Sequence, residues 1–379
     1  MEPTKSNSEP TVPFMDLKAQ YQSIKKEIDF AIHTVLDNAD FIGGKKKFEF
    51  EAEFAAACRT KHCIGMANGT DAIFIGLMAA GIGTGDEVIV PANSFIATSE
   101  AVTVTGAKPV FVDVDEKTYL IDLQKTEDLL KTKSKKVGGK ISAIIAVHLY
   151  GQLCDMKGLL NLCEKYDVLL FEDSAQAHLA EINGKRAGSF GIAATFSFYP
   201  GKNLGAYGDA GALVTNDDRV AETARRLANH GRVGKYDHSQ EGFNSRLDTI
   251  QAAILSVKLK HLENWTAHRI AAARRYDELL AGHKHLILPN TPASAMSHVY
   301  HLYVVQVENR NELQERLSKA GIQTIVHYPI ALPNLKAYEK FKHSRNDFPV
   351  SSKLESKIIS LPLFPEITVD QQKWVAKHL

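Results

Sequence analysis

The chain has 379 residues, of which 44% are hydrophobic, enough for a large core and more than one domain usually holds. Lys and Arg number 45 against 44 Asp and Glu, so a net charge of +1 gives no footprint for nucleic acid or an anionic membrane. Cys58, Cys63, Cys154 and Cys163 lack zinc-site spacing and are too few for a disulfide framework, so reduced thiols and no metal are expected.

Residues 1–12 are polar and broken by proline, with no apolar signal core, and are expected to form a disordered tail. No apolar run is long enough to span a bilayer, and a cytoplasmic protein is expected. The period of Leu17, Tyr21, Ile24, Ile28, Ile32 and Leu36 predicts one amphipathic helix over Met15 to Asn38. The basic runs Lys45 to Lys47 and Lys131 to Lys136 carry no interleaved aromatics and read as solvated faces.

From about residue 60 to 215 the pattern becomes short, β-branched apolar runs separated by helical stretches. The runs are Glu87 to Val90, Pro109 to Val114, Ile141 to Val147, Leu169 to Asp173, Ala193 to Phe198 and Ala212 to Thr215. Most are apolar on both faces, as strands of a mostly parallel sheet covered by helices must be. The fold class is therefore α/β. Asp217 and Asp218 cap a helix ending near Gly231, and a long helical pattern follows from Leu247 to about Leu280. A strand (His301 to Val307), a helix (Glu312 to Ala320), a strand (Thr324 to Tyr328) and a helix (Val369 to His378) complete a smaller α+β domain. The expected division is 13–260 and 261–379.

Ligands of open α/β sheets sit beyond the carboxyl ends of the strands, and four places there carry polar or aromatic chemistry. Asn68-Gly69-Thr70-Asp71 opens a helix: it reads either as an ordinary N-cap on Thr70 or Asp71, or as an anion site on free amides. In Glu172-Asp173-Ser174-Ala175-Gln176, strand-end carboxylates either cap the next helix or hold a protonated ring nitrogen. Lys202 lies in a loop bounded by Ser197, Tyr199-Pro200 and several glycines, where desolvation can leave an amine neutral for Schiff-base chemistry. Phe95 is either core or a face for a flat cofactor. Taken together and in order, they match a cofactor with one phosphate, one ring nitrogen and one aldehyde. Pyridoxal phosphate is that cofactor.

The chain resembles fold-type I pyridoxal phosphate enzymes, and within them the DegT/DnrJ/EryC1/StrS nucleotide-sugar aminotransferases. The resemblance runs from Phe14-Met15-Asp16-Leu17 to Ser360-Leu361-Pro362-Leu363. It rests on Asn68 to Ala72, Gly85 to Pro91, Glu172 to Gln176, Tyr199 to Gly205 and Asn244-Ser245-Arg246-Leu247-Asp248. It implies Lys202 as the covalent anchor, Asp173 on the pyridine nitrogen, Gln176 near the ring hydroxyl and Phe95 on the ring face. It further implies Gly69, Thr70 and Ser197 as phosphate ligands, and Asn244 reaching the phosphate of a neighbouring subunit in a homodimer. Leu179 stands where the family usually has Gly.

Lys202, where one family subset has histidine and dehydrates, favours transamination. The implied partners are glutamate and 2-oxoglutarate and a nucleotide-diphosphate sugar. Tyr199 to Ala206 and His327-Tyr328-Pro329 are similar to members acting on 3-keto sugars, with Tyr199, His327 and Tyr328 as candidate substrate contacts. A dTDP-linked 3-keto-6-deoxyhexose comes first. A UDP-linked 3-keto N-acetyl sugar, a 4-keto sugar and a non-catalytic regulatory role are the alternatives.

Overall fold

The computed structural model describes residues 11–133, 140–290, 294 and 296–379. Most of the expected tail, and the basic run beyond residue 133, lie outside the described residues. Val12, assigned to that tail, is buried instead: it exchanges backbone hydrogen bonds of 2.9 Å with Gly321 and Gln323. Its branched apolar side chain belongs to a second hydrophobic core, smaller than the largest one.

The single helix expected over Met15 to Asn38 is two, α1 (Leu17–Ser23) and α2 (Lys25–Asn38), because Ile24 leaves helical geometry between them. The basic run then opens α3 (Lys45–Cys58), where Lys45 and Lys46 pair with Glu49 and Lys47 with Glu51. Next come β1 (His62–Met66), α4 (Gly69–Ala79), β2 (Asp86–Pro91), α5 (Ala97–Val104) and β3 (Lys108–Val112). They are followed by α6 (Leu123–Lys133), β4 (Lys140–Val147), α7 (Met156–Tyr166) and β5 (Leu169–Asp173). A small hairpin of β6 (Glu181–Ile182) and β7 (Lys185–Arg186) precedes β8 (Ala193–Ser197) and β9 (Gly211–Thr215).

Seven strands form one sheet in the order β1-β9-β8-β5-β4-β2-β3. Every pairing is parallel except the two made by β9. The carboxyl ends of β1, β2, β4, β5 and β8 therefore share one edge, where β9 begins. β1 escaped the sequence reading because His62 and Gly65 dilute its apolar character; antiparallel pairing with β9 supplies what propensity does not.

The helix α8 (Asp218–Leu227) is capped by Asp217, whose carboxylate accepts from Arg219 N and Val220 N. The expected long helix is α9 (Thr249–Leu279), 31 residues. Its Leu255 and Leu262 pack against the sheet, while Ile270, Ala273 and Tyr276 join the second core. That core adds β10 (Tyr303–Gln306), α10 (Arg310–Lys319), β11 (Ile358–Leu361) and α12 (Val369–His378), after the short α11 (Pro349–Leu354). The predicted strand at Thr324 to Tyr328 is a single bridge, Ile325 to Ser360 of β11. Beyond it the chain turns away from the sheet and carries His327 and Tyr328 toward Tyr150, whose hydroxyl donates to His327 O.

Candidate active site

At the first strand end, Asn68 is the N-cap of α4, not Thr70 or Asp71: its Oδ1 accepts from Asp71 N at 2.8 Å. The first helical bond runs from Ala72 N to Asn68 O, so the amides of Gly69 and Thr70 precede any intrahelical acceptor. Gly69 is held against β8, where a Cβ would stand 2.8 Å from Ser197 Cβ. At Gly211 a Cβ would meet the Asn68 carbonyl carbon at 2.3 Å. Bare glycines thus bring the positive end of α4 onto Ser197, a cradle for an anion.

The adjacent carboxylates at the end of β5 have opposite surroundings. Glu172 is buried and accepts from Gly188 N, Phe190 N, Gly191 N and His148 Nε2, at 2.8–3.1 Å. Cys154 N donates to His148 Nδ1, which leaves the proton on Nε2. Glu172 therefore ties down the loop entering β8 and has no part to spare. Asp173 points the other way, accepting from Thr98 Oγ1 at 2.7 Å and Ala175 N at 3.2 Å. Three residues on, Gln176 accepts from Tyr150 N at 2.5 Å and donates to Tyr328 Oη at 3.2 Å. Tyr328 lies against Phe95, with ring centroids 5.7 Å apart. Phe95 is 53% exposed, so its ring is open to a flat partner and is not core.

Lys202 sits in the loop after β8, closed by Ala206 N to Phe198 O at 2.7 Å and Lys202 N to Tyr199 O at 2.8 Å. Desolvation lowers its pKa from 10.5 to about 8, against an opposing pull from the Asp173 charge. The adjoining Asn203 is fixed by Val299 O and His301 Nδ1, both at 3.2 Å. Tyr199 is exposed, and His327 Nδ1 lies 2.9 Å from Ser360 Oγ. Asn244 is exposed beside Ser245, whose Oγ accepts from Ala67 N at 3.3 Å, next to the Asn68 cap.

Thr98, Tyr150, His178, His298 and His301 were missed by sequence reasoning, whereas His327 was among the candidates. Tyr150 had a usable signal, since it lies just past the carboxyl end of β4; Thr98 and the three missed histidines had none. Leu179 takes the left-handed backbone, φ 63°, with its side chain buried, so the turn keeps its shape without glycine.

Burial holds four histidines neutral: His178 and His298 fall to about 3, His327 to about 4, and His301 well below its usual value. The Lys202 charge adds to the effect at His178, His301 and His327. Below about pH 6.5 the unfolded chain binds protons that these rings refuse in the fold. Their contribution is full above that pH and is lost on acidification, by up to ~1.4 kcal/mol per pH unit for each ring. Denaturant titrations at pH 7.5 and 5 should show the drop; equal midpoints would refute it.

An amide cradle, a buried carboxylate, a side-chain amide, an open aromatic face and a partly neutral amine suit pyridoxal phosphate group by group. A family model described as the DegT/DnrJ/EryC1/StrS aminotransferase family matches residues 22–379. The dTDP-3-amino-3,6-dideoxy-alpha-D-galactopyranose transaminase of Aneurinibacillus thermoaerophilus is 43% identical, over 97% of this chain and 98% of that one. The UDP-2-acetamido-2-deoxy-3-oxo-D-glucuronate aminotransferase of Pseudomonas aeruginosa is 41% identical, over 97% and 99%. An X-ray structure of S. venezuelae DesV matches with a TM-score of 0.92 at 41% identity, over 97% of both chains. The chain belongs to the DegT/DnrJ/EryC1/StrS aminotransferase family and is a sugar aminotransferase that works with pyridoxal phosphate.

Proposed function

We propose that this pocket transfers the amino group of glutamate to C3 of a keto-sugar carried on a nucleoside diphosphate. The observation that carries the reading is a desolvated Lys202 amine within electrostatic reach of the Asp173 carboxylate, on the loop that follows Ser197 of the Gly69–Ser197 cradle. In this reading Gly69, Thr70 and Ser197 hold the phosphate, with Asn244 added from a second subunit of a homodimer. Asp173 holds the ring nitrogen, Gln176 the ring hydroxyl, and Phe95 the ring face.

When bound, the cofactor supplies an electrophilic carbon and a protonated ring that accommodates the electron pair left by a departing Cα proton. Lys202 Nζ is the covalent anchor. With a pKa near 8 it also takes the proton from the donor Cα and returns one to the sugar. Asp173, held by Thr98 and Ala175, keeps a fixed negative charge at the ring nitrogen. Tyr199, His327 and Tyr328 form the substrate side. Four free, buried cysteines fit a reducing cytoplasm.

Both named relatives carry the amine or ketone at sugar C3. A dTDP-linked 3-keto-6-deoxyhexose is the first substrate choice, and a UDP-linked 3-keto N-acetyl sugar the second. A panel of nucleotide-linked 3-amino and 4-amino sugars, run in reverse with 2-oxoglutarate, tests carbon, nucleotide and donor together. Glutamate formation should favour the 3-amino sugars by at least about tenfold in kcat/KM. Preference for a 4-amino sugar would overturn the C3 assignment.

A further inference from the structure

Two side chains of α9 grip the far end of the Lys202 loop. Gln251 pairs with the backbone of Tyr207 in both directions: Tyr207 N donates to Oε1 at 2.8 Å, and Nε2 donates to Tyr207 O at 3.2 Å. Seven residues on, two helical turns along the same face, Lys258 Nζ donates to Gly205 O at 2.5 Å. The same ammonium stands 5.0 Å from the centroid of the Tyr207 ring.

Lys258 is 1% exposed, and among the described residues no carboxylate lies within ion-pair distance of it. A buried ammonium without such a partner is unfavourable, and burial lowers its pKa to about 8, opposed by a more distant Glu366. An apolar side chain of the same length would avoid that desolvation cost but leave Gly205 O without this donor. What the lysine adds is its donor to Gly205 O.

That carbonyl is mechanically tied to Lys202. Gly205 lies so close to Pro200 that a Cβ would sit 2.3 Å from Pro200 O. A shift at Gly205 is therefore transmitted to Pro200-Gly201-Lys202.

We propose that Lys258, with Gln251, is a positioning residue for transamination, holding Gly205 O so that the loop presents Lys202 to the cofactor. The proposal rests on the assignment of Lys202 as the covalent anchor. Its test uses the cofactor-loaded enzyme with Lys258→Met, which keeps the length and removes the donor, and Gln251→Leu. Three readouts are taken: the pH midpoint of the visible band, kcat against KM for the sugar, and the fraction of chains carrying reduced cofactor on Lys202 after borohydride.

Lys258→Met should move the midpoint by about half a pH unit or more, roughly a threefold change in the proton equilibrium. It should also lower kcat by ~10- to 100-fold with the sugar KM little changed. Gln251→Leu should move both in the same direction by less, and it decides alone if Lys258→Met does not fold. Variants that lose only thermal stability, with wild-type midpoint and kcat, overturn the proposal. Wild-type enzyme that traps no cofactor on Lys202 removes the anchor assignment instead, and this proposal with it.

Discussion

Replacing Lys202 with alanine should abolish steady transamination, lowering kcat by at least ~10⁴-fold, because in the proposed mechanism one residue supplies both the covalent anchor and the proton carrier. Borohydride should fix the cofactor to the Lys202 peptide in the wild type and to no peptide in the variant, as read by mass spectrometry. The lowered pKa adds a pH test with a definite sign. Protonated amine is the unreactive form, so loading of cofactor-free enzyme should quicken as pH rises. With a pKa of about 8, the neutral fraction is about one in ten at pH 7. An unperturbed lysine would offer roughly one in 3,000. The loading rate should thus rise about fivefold from pH 7 to 8 and flatten by about pH 9. A rate still climbing tenfold per unit at pH 9.5 would show that burial has not prepared this amine.

Lys202 also shows which parts of the site were legible in the sequence. Its loop was legible because Pro200 and the glycines exclude helix, and because two apolar strands flank it. The parallel sheet was legible for a similar reason: strands buried on both faces leave continuous apolar runs, and all six that were expected appear. What the sequence hides is contact across long separations. Thr98 reaches Asp173 over 75 positions, Tyr328 reaches Gln176 over 152, and nothing local to either end marks the pairing. The split at Ile24 and the single bridge at Ile325 also escape local signals, since apolar period and β-branching are satisfied in each. Asn244 is a further kind of case. Its proposed partner is another copy of the chain, and within one copy it is an exposed asparagine.

The neighbouring carboxylates of β5 allow the second large prediction, because two adjacent acids should fail in different ways. Asp173→Asn keeps the shape and the hydrogen bond from Ala175 N, turns the Thr98 hydroxyl from donor to acceptor, and removes the charge. If Asp173 is the proposed partner of the cofactor's ring nitrogen, that nitrogen would lose its proton without the carboxylate, and the ring would accommodate the electron pair less well. kcat should fall by ~10²- to 10³-fold, the usual scale for removing one preorganised electrostatic partner. The unfolding temperature should hardly move. Glu172→Gln leaves the pocket chemistry in place but halves the acceptor capacity serving three loop amides and His148. Whichever oxygen becomes the amide nitrogen, two of those buried donors lose their acceptor, at about 1–3 kcal/mol each. This variant should therefore unfold earlier, while the folded fraction turns over at near wild-type rate. Measuring kcat per folded molecule alongside denaturant midpoints separates the two acids. If Asp173→Asn were to lose stability and Glu172→Gln activity, the roles assigned to them would have to be exchanged. The hydrogen bonds argue against that exchange: Glu172 has four donors upon it, and Asp173 has two, while its charge acts on the Lys202 amine.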